Sequence, residues 1–312
     1  LGLLGMPMGW NEDNVHRWLS QQDWPKGLVG SRGHDAAVMP PLEGRLVTCA
    51  DQCVEGVHFA AGAPWSAAGA KAVLRALSDL AATAATPTAV TLTVRAPAHW
   101  SEAAVQGVIL GARGAATRYG AELVAGDLAM APGPAGLSVT AIGTLALDRH
   151  PVGRDRAVPG QRVVVTGSFG GSLESGRHLR IVPRLAEAGR LVASGATAMM
   201  DVSDGLALDL SRIARASGVA IEINAEAVPV HVDAVGASER DGRSSLWHAL
   251  HDGEDHELIA CLPEAGVGAL SGQATEIGVV REGAGLWVSS ATGREQWRRG
   301  AGGWIHGGGS AS

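Results

Sequence analysis

Residues 197–218, with the sequence TAMMDVSDGLALDLSRIARASG, contain the clearest indication of the fold class. It opens with a short apolar run that ends at Asp201, which predicts a buried strand. The residues that follow have apolar side chains at helical spacing, at Leu206, Leu210 and Ile213. Ser203 stands where a residue would cap that helix, and Gly218 stands where a glycine would end it. A strand followed at once by a helix is typical of α/β proteins, so we expect that fold class.

Helical and extended patterns alternate along the whole chain. The predicted helices are residues 14–20, 66–85 and 101–119, and the predicted strands are residues 45–50, 89–95, 121–125, 137–147, 162–166, 219–223 and 257–262. Prolines and glycines gather between His150 and Gly160, which predicts a domain boundary there. We therefore expect two α/β domains (of the α+β type), residues 1–149 and 150–306, followed by a flexible tail at 307–312.

The charge and composition of the chain narrow the class of protein. Its 312 residues carry a formal net charge of −6 and no basic block, so nucleic acid and anionic membranes are poor partners. No apolar run approaches the ~20 residues of a membrane-spanning helix. The segment Leu1–Trp10 lacks the positive start of a signal peptide, and three cysteines, an odd number, suit a reducing compartment. We expect a soluble, cytoplasmic protein.

Aspartates recur at the ends of predicted elements. Three follow apolar extended runs, one precedes such a run, one lies in the first long helix and one opens the helix after Ser203. In that order they are Asp51, Asp127, Asp201, Asp35, Asp79 and Asp204. Strand ends in open α/β sheets face the ligand crevice, and Mg²⁺ prefers oxygen ligands that it shares with substrate phosphates. The pattern therefore favours a phosphate-handling site with several divalent ions.

Each of these aspartates also has a purely structural interpretation. Asp79 can pair with Arg75 one helical turn earlier. Asp51 and Asp127 can form turns, and Asp204 can favour the start of a helix. Taken singly, the two interpretations are evenly matched. The repeated placement of aspartates at the ends of predicted elements favours the functional interpretation.

Other solutions for phosphoryl transfer are absent from the sequence. Neither Lys26 nor Lys71, the two lysines, lies in a G-x-x-x-x-G-K-[ST] phosphate loop, and the protein-kinase motifs H-R-D and D-F-G do not occur. Phosphoryl transfer would thus need metal ions and arginines to balance the phosphate charge. Amide donors at the start of the helix after Ser203 could add to them.

Three rival sites have weaker support. Cys49, Cys53 and His58 could hold zinc, yet a structural zinc site needs four ligands and only three cluster. Residues 201–205 faintly resemble the G-x-S-x-G elbow of hydrolases but lack its first glycine. No G-x-G-x-x-G dinucleotide fingerprint occurs near Gly167, which disfavours a dehydrogenase.

Several stretches, in family order, resemble the motifs of the thiamine-monophosphate kinase family, which belongs to the aminoimidazole ribonucleotide synthetase superfamily. They are Gly33–Val38, Ala50–Phe59, Leu77–Ala82, Gly126–Asp127, Asp201–Leu206 and Gly253–Leu258. The most specific part is Asp-x-Ser-Asp-Gly-Leu followed later by Gly-Glu-Asp-x-Glu-Leu. The resemblance runs from about residue 30 to Trp304.

This resemblance implies ATP-dependent phosphorylation of thiamine monophosphate to thiamine diphosphate by in-line transfer, on two α/β domains that dimerise through the N-terminal sheets. The positions that would hold several Mg²⁺ ions are Asp35, Cys49, Ala50, Asp51, Asp79, Asp127, Asp201 and Asp204. The catalytic residues among them would be Asp35, Asp79 and Asp204. ATP would contact Gly126, Asp127, Arg154 and Ser203. The acceptor would contact His58, Glu254 and Trp304, since an acid and an aromatic ring suit a cationic thiazolium.

The chain departs from the family at several motif positions. Cys49 and Ala50 stand where serine and threonine are usual, which removes hydroxyl groups near one metal. The other changed positions are His34, Ala76, Ala125 and Leu128, and the stretch between Gly171 and His178 is short. Two alternatives therefore stay open. One is a superfamily enzyme with a different small-molecule acceptor, and the other is a nucleotide-binding relative with impaired turnover.

Overall fold

The computed structural model describes residues 9–23, 27–29, 36–298 and 302–303. The chain divides into two compact units, one of Leu1–Leu80 with Thr86–Arg149 and one of Ala81–Ala85 with His150–Ser312. Each unit combines a sheet with helices, which confirms the predicted two-domain α/β class. No helix within the described ranges is both long enough and apolar enough to span a bilayer. The functions attached to the two domains stay predictions, and the tail lies outside the described residues.

The first unit contains a four-stranded sheet with strand order β1-β4-β2-β3. Its elements are α1 (Glu12–Ser20), β1 (Arg45–Val54), α2 (Trp65–Ala82), β2 (Thr86–Ala96), α3 (Glu102–Arg118), β3 (Glu122–Met130) and β4 (Gly136–Leu145). The last residues of α2 belong to the second unit. β2 pairs in parallel with β3, and β4 pairs antiparallel with both β1 and β2. α3 connects β2 to β3, which is the crossover that a parallel pair requires.

The helices α2 and α3 pack on each other through glycines. A Cβ atom on Gly69 would collide with the Val108 carbonyl, and one on Gly111 would collide with the Ser66 carbonyl. Because a side chain at either position would push the two backbones apart, these glycines set how closely α2 approaches α3. This contact holds α2, which carries Asp79, in a fixed position within the unit.

The first sheet has one covered face and one open face. Along β4, buried odd-numbered residues alternate with half-buried even-numbered residues. Cross-strand partners share a face, so Asp51 lies with its partner Val139 on the covered side. Thr93 is exposed and lies on the open side, opposite Ser138 of β4. Leu80 of α2 reaches the covered side of the sheet, since a Cβ atom on Gly143 of β4 would lie 3.2 Å from its Cδ1.

The second unit contains a seven-stranded sheet with strand order β11-β10-β7-β9-β5-β8-β6. Its elements are β5 (Arg162–Val165), α4 (Ser172–Ser175), α5 (Leu185–Ala193), β6 (Ala198–Asp201), α6 (Leu206–Ser217), β7 (Ala220–Asn224), α7 (Val232–Asp241), α8 (Ser245–His251), β8 (Leu258–Leu262), α9 (Glu264–Val267), β9 (Thr275–Arg281), β10 (Gly285–Ser290) and β11 (Gly293–Gln296). Every residue of β6 and β8 is buried.

The second sheet has an apolar layer on each face. On one face, Ile213 of α6 packs in a cluster with Val163 of β5. On the other face, Leu191 of α5 packs in a cluster with Val164, the next residue of β5. Successive residues of a strand point to opposite faces, so a strand with two covered faces has a continuous apolar run. This explains why the run that ends at Asp201 could be predicted as a buried strand.

Two predicted strand ends are wrong. The strand predicted to end before Asp51 continues to Val54, and the strand predicted to end before Gly126 continues to Met130. The extension of β1 pairs with β4, and the extension of β3 pairs with β2. Hydrogen bonds to a neighbouring strand override the preference of aspartate for turns, and local sequence periodicity contains no information about that neighbour.

The helix after Asp201 begins later than predicted. α6 starts at Leu206, and its N-cap is Gly205 with φ 113°, so the prediction that Ser203 caps the helix is wrong. Its C-terminal end is as predicted, because Gly218 follows α6 in the left-handed conformation. The residues 202–205 therefore form a turn of their own between β6 and α6.

Candidate active site

Two acidic residues of the first unit raise the pKa of the Cys49 thiol. Asp51 lies two residues further along β1, on the same covered side, and Asp79 projects from α2. Burial, reinforced by the charges of Asp79 and Asp51, raises the pKa of Cys49 to about 12, so it is a neutral thiol at pH 7. Its Sγ donates to the Ala76 carbonyl at 3.2 Å. A half-buried thiol beside two carboxylates marks a region of negative charge that suits a cation.

Asp51 already holds a cation that the protein itself supplies. Nε of Arg75 donates to Oδ2 of Asp51 at 3.1 Å, and Nη2 donates to Oδ1 at 3.3 Å. The two side chains are 11% and 23% exposed. The structural interpretation of the sequence places Arg75 beside Asp79 on one helix. The structure shows that Arg75 also reaches across from α2 to β1.

His58 lies in the turn that follows β1. It is 7% exposed, and its Nδ1 accepts the Val54 N–H at 3.1 Å. The ammonium group of Lys71 on α2 donates to the His58 carbonyl, and Lys71 is fully buried. These contacts hold the turn in place. Contact between His58 and an acceptor stays a prediction.

Asp127 is separated from Asp51 by the width of the first sheet. It lies on β3, whereas Asp51 lies on β1 at the other edge, three strand spacings or roughly 14 Å away. Asp127 pairs with Thr93 and is exposed, so its side chain is on the open side. Within this unit the structure brings Asp51 and Asp79 to one thiol and does not bring Asp127 to them.

Two further predicted positions also lie in the first sheet. Ala50 pairs with Thr140 and is exposed on the open side. Gly126 lies in β3, where a Cβ atom would collide with the Leu92 carbonyl of β2. Gly126 is therefore needed for the close approach of two strands, whether or not ATP contacts it.

In the second unit, a buried acid holds the turn between β6 and α6. Oδ2 of Asp209 accepts the N–H of Ser203 at 3.2 Å and that of Asp204 at 3.1 Å. Arg212 lies further along α6 and donates to both Asp209 and Asp204. Burial raises the pKa of Asp209 to about 7, against the opposing effect of Arg212. Asp209 thus satisfies the amides ahead of α6, the task that the sequence assigns to Ser203.

A second loop, residues 253–257, is hydrogen bonded to this turn backbone to backbone. The N–H of Glu254 donates to the Ser203 carbonyl at 2.8 Å. The N–H of His256 donates to the Val202 carbonyl at 2.8 Å, and the N–H of Val202 donates to the Glu257 carbonyl at 2.8 Å. The two motifs that carry the family resemblance most specifically are therefore joined by a short ladder of hydrogen bonds.

The 253–257 loop has an unusual backbone. Glu254 and His256 have φ angles of 56° and 52°, a region that residues other than glycine rarely occupy. Gly253 has φ 74°, and a Cβ atom there would lie 2.6 Å from the Ser203 carbonyl oxygen. Left-handed conformations cost about 1–2 kcal/mol per non-glycine residue, and such strain concentrates at functional sites. The backbone thus supports the assignment of Glu254 to a site.

The His256 ring lies between two acids that the sequence assigns to the site. Its Nδ1 is 3.2 Å from Oδ2 of Asp201, and its Nε2 is 3.3 Å from Oε2 of Glu254. Burial alone would lower the pKa of His256, but the hydrogen bonds to these two acids raise it to about 9. The ring is therefore an imidazolium at neutral pH, and it fixes the orientation of both carboxylates.

A pocket of ≈ 180 Å³ opens beside this loop. Its lining includes His231 and the charged residues Arg177, Arg180, Arg184, Glu254, Asp255 and Glu257. Arg177 donates to Asp255 at 2.9 Å, and Arg184 donates to Glu257 at 2.7 Å. Burial raises the pKa of Asp255 to about 7, against the effect of Arg177. The pocket walls thus present charged groups of both signs to a small ligand.

The remaining predicted residues are Arg154, Asp35 and Trp304. Arg154 is exposed, and its carbonyl accepts a hydrogen bond from Ser217 at 3.1 Å. Asp35 and Trp304 lie outside the described residues. Gly303, which precedes Trp304, is described, and a Cβ atom on it would lie 3.1 Å from the Asp204 carbonyl oxygen.

Four residues that contact predicted site residues were not themselves predicted from the sequence. They are Arg75 on Asp51, Asp209 and Arg212 on the turn before α6, and His256 between Asp201 and Glu254. The position of Asp209 in the sequence could have indicated its role. It lies three residues after Leu206, in the buried stripe of a helix, where a charged side chain needs a partner. The contact of Arg75 with Asp51 joins elements that are distant in sequence and had no local signal.

Metal-ligand geometry is incomplete in the described part of the chain. There, no group of three or more His, Cys, Asp or Glu side chains is arranged to hold a metal ion. Asp51 and Asp79 have the oxygen donors that Mg²⁺ prefers, so the donor chemistry fits. Asp35, the third predicted donor of the first unit, lies outside the described residues.

Comparison with known proteins identifies the family of this chain. Residues 33–145 match the family described as AIR synthase related protein, N-terminal domain. A thiamine-monophosphate kinase of Rhodopirellula baltica is 37% identical over 277 residues, which cover 86% of this chain and 84% of that protein. The structure of thiamine-monophosphate kinase from Stenotrophomonas maltophilia K279a has a TM-score of 0.76 and 29% identity, covering 89% of this chain and 95% of that one. The structure of AaThiL complexed with AMPPCP and TMP has the same score and identity, covering 94% and 95%. With this identity over most of both sequences, the chain belongs to the thiamine-monophosphate kinase family.

Proposed function

We propose that this chain transfers the γ-phosphoryl group of ATP to the phosphate of thiamine monophosphate and releases ADP and thiamine diphosphate. The observation that carries the proposal is the likeness to AaThiL complexed with AMPPCP and TMP, over 94% of this chain. AMPPCP is an analogue of ATP, so that relative binds both kinds of substrate. The cytoplasmic setting expected from three free cysteines, Cys49, Cys53 and Cys261, is part of the proposal.

Several Mg²⁺ ions belong to the proposal as well. Asp51 and Asp79 in the first unit, and Asp201 and Asp204 in the second, offer the carboxylate oxygens that would hold them. When bound, such ions neutralise the charge that builds up on transferring phosphates. These carboxylates match the needs of Mg²⁺ only in part, because arginines already pair with Asp51 and Asp204. Asp35 and Asp127 complete the predicted set.

The chain's own groups would position the nucleotide. Ser203 and Asp204 stand on a turn whose amides are held by Asp209, so their side chains start from a fixed backbone. A rigid turn is what in-line transfer requires, because small displacements of the reacting groups slow such reactions strongly. We assign the contacts with ATP to Gly126, Asp127, Arg154 and Ser203.

The acceptor would be recognised by charge and by an aromatic face. Glu254 is oriented by the His256 ring, whose Nε2 lies 3.3 Å from its Oε2, and this carboxylate would face the cationic thiazolium. Trp304 would add a cation–π contact, and its neighbour Gly303 lies against the turn that carries Asp204. We assign His58 to the same substrate.

The open side of the first sheet supports the proposal of a homodimer. Thr48, Ala50 and Thr93 are exposed there. Antiparallel sheets can leave one face open to solvent, and such a face is a surface on which a second copy would pack. A dimer through this face would enclose Asp127, which shares it.

One assay tests the proposed function. The purified chain is given Mg²⁺, ATP and thiamine monophosphate, and the formation of ADP and thiamine diphosphate is followed. We expect thiamine diphosphate to form in equal amount with ADP. The variant Asp204→Asn keeps its backbone bonds to Asp209 but loses a carboxylate charge, and we expect turnover to fall by about 100-fold or more. Asp148→Asn serves as the matched control, because Asp148 is an exposed acid outside the 202–205 turn and the 253–257 loop.

The same assay separates the alternatives. ADP formation with another phosphorylated acceptor, and none with thiamine monophosphate, would identify a superfamily enzyme of different specificity. Binding of ATP without turnover of any acceptor would identify a nucleotide-binding relative. Full activity of Asp204→Asn would remove Asp204 from the site.

A further inference from the structure

Arg75 gives this chain a built-in cation at an acid that a metal ion would otherwise bind. It donates to Asp51 twice, from Nε to Oδ2 at 3.1 Å and from Nη2 to Oδ1 at 3.3 Å. Two N–H groups of one guanidinium on one carboxylate form the strongest type of such a pair. The N–H of Gln52 also donates to Oδ1, at 2.9 Å, so both oxygens of Asp51 are engaged.

The position of this pair makes it hard to displace. The side chains of Arg75 and Asp51 are 11% and 23% exposed, so little water is available to solvate either charge alone. Arg75 extends from a helix whose neighbouring residues Leu74 and Ala76 are 7% and 0% exposed. Separating a largely buried ion pair leaves an uncompensated charge, which is strongly unfavourable.

We propose that the Arg75 guanidinium is the resident counter-cation of Asp51 and takes the place of one divalent ion there. This chain then binds fewer Mg²⁺ ions than its number of acidic site residues would allow. The inference rests on the proposed function, since it concerns the same metal-binding site. A guanidinium is protonated at every physiological pH and is tethered, so this charge, unlike Mg²⁺, does not depend on metal concentration.

A purely structural role for Arg75 makes a different prediction. The ion pair joins α2 to β1, and in that role it would only stabilise the first unit. Removing it would then lower the melting temperature without changing how many divalent ions the protein binds. Counting bound ions distinguishes the two roles.

The test is a titration of the whole chain with Mn²⁺, in which electron paramagnetic resonance reports the free ion, without acceptor and without turnover. The variants are Arg75→Gln and Arg75→Met, and Arg118→Gln on the exposed end of α3 is the control for loss of one charge. We expect both variants at position 75 to bind one more Mn²⁺ per chain, or to bind Mn²⁺ at least ten times more tightly, than the wild type. The gain should vanish in the double variant Asp51→Asn/Arg75→Gln.

Equal binding by wild type, Arg75→Gln and Arg118→Gln would overturn the proposal. If the variants at position 75 do not fold, the wild type decides the question through the Nε–H resonance of Arg75 in an NMR titration with Mg²⁺. A resonance that saturating Mg²⁺ leaves in place supports the resident cation, and one that shifts or disappears contradicts it. Because no step involves thiamine monophosphate, failure of the kinase assay and failure of this inference are separate results.

Discussion

At the scale of single residues, protein cations set the charge of the candidate active site. Arg75, Arg212 and His256 each contact an acid that the sequence assigns to metal or substrate. Each acid is thereby oriented before any ligand arrives. Preorganised charge of this kind stabilises a reacting phosphate without reorganisation during the reaction.

Gly253 provides a test of the backbone at this scale. It has φ 74°, and a Cβ atom there would approach the Ser203 carbonyl oxygen to 2.6 Å. Gly253→Ala should therefore lower both the thermal stability and the turnover, because the methyl group pushes the 253–257 loop away from its partner turn.

Gly242→Ala is a matched control for this change. Gly242 has φ 77°, but a Cβ atom there would meet nothing within 4 Å. It should show only the backbone penalty, about 1–2 kcal/mol, measured by urea unfolding. Equal losses of stability and activity in the two variants would show that the contact with Ser203 is unimportant.

At the scale of elements, His248 joins the end of α7 to the residue that follows α8. It lies in α8 and is buried, with Nδ1 3.0 Å from Asp252 and Nε2 3.1 Å from Asp241 at the end of α7. Asp252 in turn accepts the N–H of Gly171 at 2.8 Å. A histidine between two acids ties these elements together most strongly when both of its nitrogens carry protons.

This arrangement predicts a pH dependence of stability. Burial would lower the pKa of His248, but its hydrogen bonds to Asp252 and Asp241 raise it above the usual 6.5. The folded state then holds the proton more tightly than the unfolded chain does. The contribution to stability is complete below pH 6.5 and is lost as the pH rises through the folded-state pKa.

Urea unfolding of the wild type and of His248→Gln, at a pH near 6 and near 9, measures this contribution. The wild type should exceed the variant in free energy of unfolding by more at the lower pH. His16→Gln is a suitable control, since His16 is 61% exposed and its contact with Glu12 is a surface pair. A difference between wild type and His248→Gln that does not change with pH would contradict the assignment.

At the scale of the whole molecule, the first sheet offers a test of assembly. Thr93 is exposed on its open side, and Thr117 is exposed on α3. If the chain dimerises through the open side, Thr93→Arg places a charge in the interface and should give a monomer. Thr117→Arg, the same change on another surface, should leave the dimer intact.

Sedimentation velocity gives the mass of each form. A dimer that persists unchanged in Thr93→Arg would show that the copies meet elsewhere, and a monomeric wild type would exclude the proposed assembly. Activity measured on the same samples would show whether Asp127, on that side of the sheet, functions only when a second copy is present.

The sequence predicted the long helices and β5, β6, β7 and β8 because these elements have strong local patterns, but it did not predict β9, β10 and β11. The stripe of α2 and the glycine after α6 are examples in which local chemistry matches the final structure. The predicted ends of β1 and β3 were wrong, because pairing with another strand extends each element past Asp51 or Asp127. Contacts between residues distant in sequence, such as that of Arg75 with Asp51, could also not be predicted, because periodicity describes only one element at a time.

The hydrogen-bonded ladder between Ser203 and Glu254 has a thermodynamic consequence. The turn that would meet ATP and the loop that would meet the acceptor cannot move separately, because they share these backbone bonds. Any shift that the first substrate imposes on one segment is passed to the other, so the second substrate meets a segment that already has its bound position. The two substrates should then bind synergistically, each tightening the other by the same factor, and calorimetric titration of one in the presence of the other measures that factor.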